Sequence, residues 1–176
     1  GALICYDPVR EKAVKEPAFS GLNIKSLAVD AAGRLLVGTD AGFMLRDKYG
    51  TRQSCHDSSD RQSIADDEVW TVMADRRGNI WTGTEKGFSI SSSSDAARSK
   101  RIDMIVDSRD GNQMYVGLRD SHGDLWLGGS NGLLRIDASG NATPYAPGKK
   151  HQLSHKRVRD ITEDAEGRVW IATDAG

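Results

Sequence analysis

The nineteen residues VWTVMADRRGNIWTGTEKG, starting at Val69, recur in skeleton as IKSLAVDAAGRLLVGTDAG from Ile24, MYVGLRDSHGDLWLGGSNG from Met114 and VRDITEDAEGRVWIATDAG from Val158. No copy needs a gap, and the starts lie 45, 45 and 44 residues apart. A fixed period of this size confines the chain to a repeat architecture, in which each unit buries its apolar surface against the next. The repeat cores are 24–42, 69–87, 114–132 and 158–176.

Three places are constant in every copy: Asp at the seventh (Asp30, Asp75, Asp120, Asp164), Gly at the tenth (Gly33, Gly78, Gly123, Gly167) and Gly at the nineteenth (Gly42, Gly87, Gly132, Gly176). An aspartate can accept a backbone N–H two residues on. A glycine three residues later takes the positive φ that closes a tight turn without a Cβ clash. The second glycine closes another short turn, so hairpin follows hairpin. The stretches between are short and β-rich, as in Val69 to Asp75, Ile80 to Thr84 and Gly87 to Ser91, and no capped amphipathic helix is present in any copy. About 20 residues between copies leave room for a fourth strand, with candidates at 15–19, 51–55, 101–106 and 142–146.

Four antiparallel strands at a period near 45 are the signature of a β-propeller blade, whose two faces pack on neighbouring blades around an axis. The expected fold is therefore all-β, a β-propeller of about four blades of four strands. Trp81, Trp126 and Trp170 share the thirteenth place of their copies, with Leu36 in the fourth, and are expected to be buried between blades. Gly1 to Asp7 resembles the stretch after the last glycine of a copy, so the first strands lie in mid-blade. That phase fits a closed four-bladed ring or an arc of a larger propeller, and we expect the arc.

Net charge is −1 over 176 residues, which removes the electrostatic case for nucleic acid or an anionic membrane surface. No apolar run approaches membrane-span length, so direct membrane insertion of this segment is not expected. Cys5 and Cys55 stand in non-equivalent places and make no disulfide framework. His151 and His155 are four apart in an expected loop, and Asp66-Asp67-Glu68 reads as a solvated acidic loop; neither makes a metal site, and no cofactor is implied. No Gly-x-Ser-x-Gly elbow is present.

The phrase Asp-x-x-Gly-x-(Ile/Leu/Val)-Trp-(Ile/Leu/Thr)-Gly-Thr-x-x-Gly-(Leu/Phe), led into by Leu153-Ser154 ahead of Val158, resembles the two-component regulator propeller repeat. The departures are Leu36 for tryptophan, Gly129 and Ala172 in the Gly-Thr pair, and Gly117 inside a first strand. The last suggests that the blade from Met114 is the least regular. The resemblance implies a segment of a larger, often seven-bladed, propeller in the periplasmic or extracytoplasmic part of a membrane receptor. Such propellers serve hybrid two-component systems or diguanylate cyclases and commonly sense carbohydrate fragments. It also implies other domains of the parent receptor, and a second copy in a homodimer, as protein partners. Asp75 to Trp81 is similar to a segment of propeller lyases as well. Those typically continue Phe-Thr-Glu, whereas this chain continues Thr82-Gly83-Thr84, so a non-enzymatic segment is expected.

Propellers usually bind where the loops entering the innermost strands open onto the channel, because those loops can vary without disturbing blade packing. The second place of the copies is occupied by Lys25, Trp70, Tyr115 and Arg159, a mixture of aromatic and cation that plain packing does not ask for. Trp70 and Tyr115 offer flat faces to a sugar ring. Asn112 and Gln113 offer hydroxyl-matching groups, and Lys25, Arg157 and Arg159 can hold a carboxylate or sulfate. The expected partner is a small molecule, an oligosaccharide in particular; the alternatives are a protein-interaction scaffold and, more distantly, a lyase. Trp70 and Tyr115 also fit a plainer role as caps on the core edge.

Overall fold

The computed structural model describes residues 1–92, 94–102, 113–148, 150 and 153–176. Among them sixteen strands form antiparallel sheets, joined in chain order by tight turns. The first hairpin is β1 (Leu3–Asp7) and β2 (Lys12–Glu16). Three four-stranded sheets come next. They are β3 (Ile24–Val29), β4 (Leu35–Thr39), β5 (Gly42–Asp47) and β6 (Gly50–Ser54); then β7 (Val69–Ala74), β8 (Asn79–Thr84), β9 (Gly87–Ser92) and β10 (Asp95–Ile102); then β11 (Met114–Arg119), β12 (Leu125–Gly129), β13 (Gly132–Ile136) and β14 (Ala142–Tyr145). A last hairpin, β15 (Val158–Glu163) and β16 (Val169–Thr173), ends the order. β1 pairs with β2 and β16 with β15, and β1 and β16 do not pair with each other. The sheets therefore form an open arc: three complete blades between two half-blades.

The turns arise from the constant residues. Asp75 Oδ1 accepts the backbone N–H of Arg77 and of Asn79, each at 2.8 Å, and Gly78 closes the turn at φ +79°. Asp30 and Asp164 hold their turns in the same way. Two of the fourth-strand candidates, 51–55 and 142–146, fall on β6 and β14. The other two are displaced. β10 begins at Asp95 rather than Arg101, with an irregular register between Asp95 and Ser99, and 103–106 lie outside the described residues. β2 ends at Glu16, because Pro17 has no N–H to give a ladder and opens a 3-10 turn over Pro17–Phe19.

A separate apolar cluster fills each of the four gaps in the arc. Leu3, Phe19, Val37 and Met44 join the first hairpin to the first full blade. Leu36, Phe43, Leu45, Val69, Val72 and Ile80 join the first full blade to the second. Met73, Trp81, Phe88, Met114, Leu127 and Leu134 join the second to the third, and Leu133, Val158 and Ile161 join the third to the last hairpin. Each fully enclosed Leu, Ile, Val or Phe contributes roughly 1.5–3 kcal/mol relative to exposure, so the gaps between sheets carry most of the cohesion.

Burial along a strand reports whether one or both faces are covered. β8, in the middle blade, is buried from Ile80 through Thr84 without alternation, whereas β16 alternates half-buried with exposed residues. The tryptophans obey this pattern. Trp81 is buried, Trp126 is half-buried against Tyr145 and Arg135, and Trp170 is 57% exposed. Trp170 thus departs from the expected burial, since among the described residues no further sheet covers its face of β16. The blade from Met114 is not irregular in its sheet. Gly117 leaves open the space that the Met73 methyl fills, where any other residue would place its Cβ.

Candidate functional site

Each innermost strand carries one β-bulge, and it falls at the same place in all four copies. The register of β3 on β4 shifts between Ile24 and Ser26, of β7 on β8 between Val69 and Thr71, of β11 on β12 between Met114 and Val116, and of β15 on β16 between Val158 and Asp160. The residues skipped are Lys25, Trp70, Tyr115 and Arg159. A bulge leaves its extra residue out of the ladder and re-aims the side chain. The strand can then bury its neighbours while the skipped side chain belongs to the loop end.

These side chains meet across blades. Lys25 Nζ lies 3.6 Å from the centroid of the Trp70 ring and is ion-paired to Glu68. The rings of Trp70 and Tyr115 stand edge to face, 6.0 Å between centroids at 82°. Trp70 Nε1 donates to Glu85 Oε2 at 3.0 Å, Gln113 Nε2 donates to Glu85 Oε1, and the Tyr115 hydroxyl donates to Gln113 Oε1. Farther along, Arg159 Nη2 donates to Asp174 Oδ2 at 3.2 Å, with Arg159 Nε on the other oxygen, and Arg157 Nη1 reaches Oδ2 at 3.5 Å. The Arg159 guanidinium is the main influence holding the Asp174 carboxyl below its ordinary range.

Lys25, Trp70, Gln113 and Tyr115 thus form one contiguous network over three blades, and Arg157 and Arg159 occupy the corresponding end of the fourth. Asn112 lies outside the described residues. One face of the Trp70 indole is already covered by the Lys25 ammonium. A cavity of about 480 Å³ lies beside Arg157, lined by Ser130, His155, Lys156, Arg157 and Asp174.

Sequence reasoning missed the seventeenth place of the copies, where Asp40, Glu85, Ser130 and Asp174 stand. In every blade its backbone N–H donates to the carbonyl of the residue just before the innermost strand: Asp40 to Asn23, Glu85 to Glu68, Ser130 to Gln113 and Asp174 to Arg157. Two of its carboxylates then take the side chains of the bulge residues, Glu85 from Trp70 and Asp174 from Arg159. The signal was available as three acids and a serine in register with the varied second place.

The acidic loop is occupied by internal partners. Asp66 pairs with Lys86 at 2.5 Å, Asp67 accepts the His56 N–H at 2.6 Å, and Glu68 holds Lys25. Among the described residues no cluster of three or more His, Cys, Asp or Glu could hold a metal; His151 lies outside them, and Cys5 and Cys55 are both free. Among the described residues no helix is long and apolar enough to cross a membrane.

Sixteen strands in propeller-like sheets, with one re-aimed side chain per blade at one end, define a β-propeller array that presents a composite surface. Residues 63–86 and 152–175 match the family described as two-component regulator propeller, so these two segments carry that repeat. Two solved structures of the extracellular domain of BT4673 from B. thetaiotaomicron, described as a one-component and as a hybrid two-component system, are 39% and 37% identical over 99% of the chain. Their TM-scores are 0.49 and 0.48, and the chain spans 24% of the length of each. Virginiamycin B lyase from Staphylococcus aureus matches at TM-score 0.70 and 13% identity, over 99% of this chain and 57% of that one, which speaks for the shared fold alone. No curated protein matches the chain.

Proposed function

We propose that the chain is part of the ligand-binding sensor propeller of an extracytoplasmic signalling receptor, that it is not itself catalytic, and that it contacts a small saccharide through its entrance loops. The observation that carries this is the bulge at the second place of each innermost strand. It frees Lys25, Trp70, Tyr115 and Arg159 from packing duty, and three of them assemble with Gln113 into a single surface. An aromatic ring face of the Trp70–Tyr115 pair suits the C–H face of a sugar, Gln113 and Glu85 suit its hydroxyls, and Arg157 with Arg159 suits an acidic substituent. The two segments that match the two-component regulator propeller repeat support a receptor context. The output domain of the parent, whether histidine kinase or diguanylate cyclase, is part of the proposal and not of this chain.

A scaffold reading competes on one observation: the entrance residues are already bonded to each other, as in a pre-set protein contact. Calorimetric titration of the intact ectodomain with neutral and acidic oligosaccharides separates the two. Saturable binding that Trp70→Ala and Arg159→Ala each weaken by about tenfold or more, with unchanged circular dichroism, supports the ligand site. Equal binding by wild type and both variants removes this face as the site.

A further inference from the structure

At the end of the arc opposite the entrance loops, the second and third full blades part around a cavity of about 340 Å³. Its floor is apolar, formed by Trp81, Ile90, Leu125, Leu134 and Ile136 at the edge of the core between these blades. Two guanidiniums stand at the rim, both from the β7–β8 turn. Arg76 Nη2 donates to the Ser121 carbonyl at 2.7 Å and Arg77 Nη2 to the Ala138 carbonyl, so each reaches a different turn of the next blade. Among the described residues neither guanidinium has a carboxylate partner.

The two acids that line the cavity do not fill that role. Asp75 is committed to Arg77 N–H, Asn79 and the Trp81 indole, and Asp137 to Ser139 N–H and to Asn141 through its backbone and side-chain N–H groups. Each guanidinium has five N–H donors and uses one here on a neutral carbonyl. Two guanidiniums that make no direct ion pair, above an apolar floor, suit a ligand with an anionic head and an apolar body. The volume is in the range of small-molecule sites, roughly 300–1,000 Å³.

We propose that this cavity is a second ligand site, for a small aryl or alkyl carboxylate or sulfonate. The apolar body lies against Trp81 and Ile136, and the head is bonded by Arg76 and Arg77. A planar guanidinium matches a carboxylate in a two-point fork, and the apolar floor strengthens that attraction by excluding water. Such a ligand would touch both blades, because its head would rest on side chains that already bridge them.

The test uses 2-naphthoate and its uncharged analogue 2-naphthylmethanol, titrated calorimetrically into the chain. The acid is expected to bind one to one, about tenfold or more tighter than the alcohol. Arg76→Ala with Arg77→Ala should bring the acid down to the level of the alcohol. Ala142→Trp, which fills the cavity from an exposed strand position and removes no core side chain, should abolish both. Trp70→Ala, at the opposite end, should change neither, so the result stands apart from the saccharide titration. If the acid binds no tighter than the alcohol, or Ala142→Trp with unchanged circular dichroism still binds the acid, the proposal is overturned.

Discussion

Each tryptophan at the thirteenth place donates its indole N–H to the aspartate six residues before it: Trp81 to Asp75 at 3.1 Å, Trp126 to Asp120 at 2.9 Å and Trp170 to Asp164 at 2.6 Å. The same carboxylate therefore closes a hairpin and orients the large ring that packs between blades. In the copy with Leu36 the free oxygen of Asp30 is taken by Arg34 instead. Burial alone would push the carboxyls of Asp30 and Asp120 up, but the N–H donors around them outweigh it and both are net lowered. For Asp164 the Trp170 indole leads the causes and the value is pulled from 3.8 to about 2. A lowered folded value means the ionised form is the one the fold binds. The contribution is therefore complete above the unfolded value of 3.8 and is lost as pH falls toward about 2. Urea midpoints followed by tryptophan fluorescence should fall over that window in wild type and more weakly in Asp164→Asn; identical pH profiles would remove Asp164 as a contributor.

At the level of the strand, the fifteenth place explains why a small residue comes after the buried middle of β4, β8 and β12. A Cβ on Gly83 would meet Thr71 Cγ2 at 2.5 Å, Phe88 Cε1 at 2.9 Å and Met114 Cβ at 3.0 Å; one on Gly128 would meet Val158 Cγ1 at 2.6 Å. These glycines set how closely the next innermost strand can approach. At the same place in β16 stands Ala172, which faces no further sheet among the described residues and is exposed. Gly83→Ala should cost on the order of 1–3 kcal/mol in denaturant unfolding, and a loss below about 0.5 kcal/mol would show that the blades can slide apart freely. The hairpins were readable from sequence because Asp and Gly act within four residues of themselves. The bulges were not. Period-two reading assigns one step to every residue, whereas a bulge spends two residues on one partner, and its trace was only the odd company of Lys25, Trp70, Tyr115 and Arg159. The start of β10 was misplaced for the same reason, and the indole to aspartate bond because it spans a turn that sequence shows only as spacing. The varied second place made the entrance residues legible as a group, yet their carboxylate partners Glu85 and Asp174 were not, since they sit in a turn and look like ordinary solvated acids.

Across the whole molecule, cohesion is pairwise: each sheet is fastened to the sheets beside it, and the end sheets leave apolar surface uncovered. Leu27 and Val29 on β3 are 52% and 64% exposed, beside a hairpin that covers only the outer part of the first full blade, and Trp170 is exposed at the far end. Surfaces of this kind invite association. The isolated chain should show a concentration-dependent sedimentation coefficient, and replacing Leu27 and Val29 by Thr together with Trp170 by Ser should shift it toward monomer with unchanged circular dichroism. A wild-type chain that stays monomeric at every concentration would contradict this. The recurrent bulge separates, residue by residue, the letters that spell the fold from the one letter per blade that faces outward. Copying a repeat then lengthens the message without rewriting its grammar, and exchanging the single letters at 25, 70, 115 and 159 becomes a way to compose new recognition on an unchanged frame.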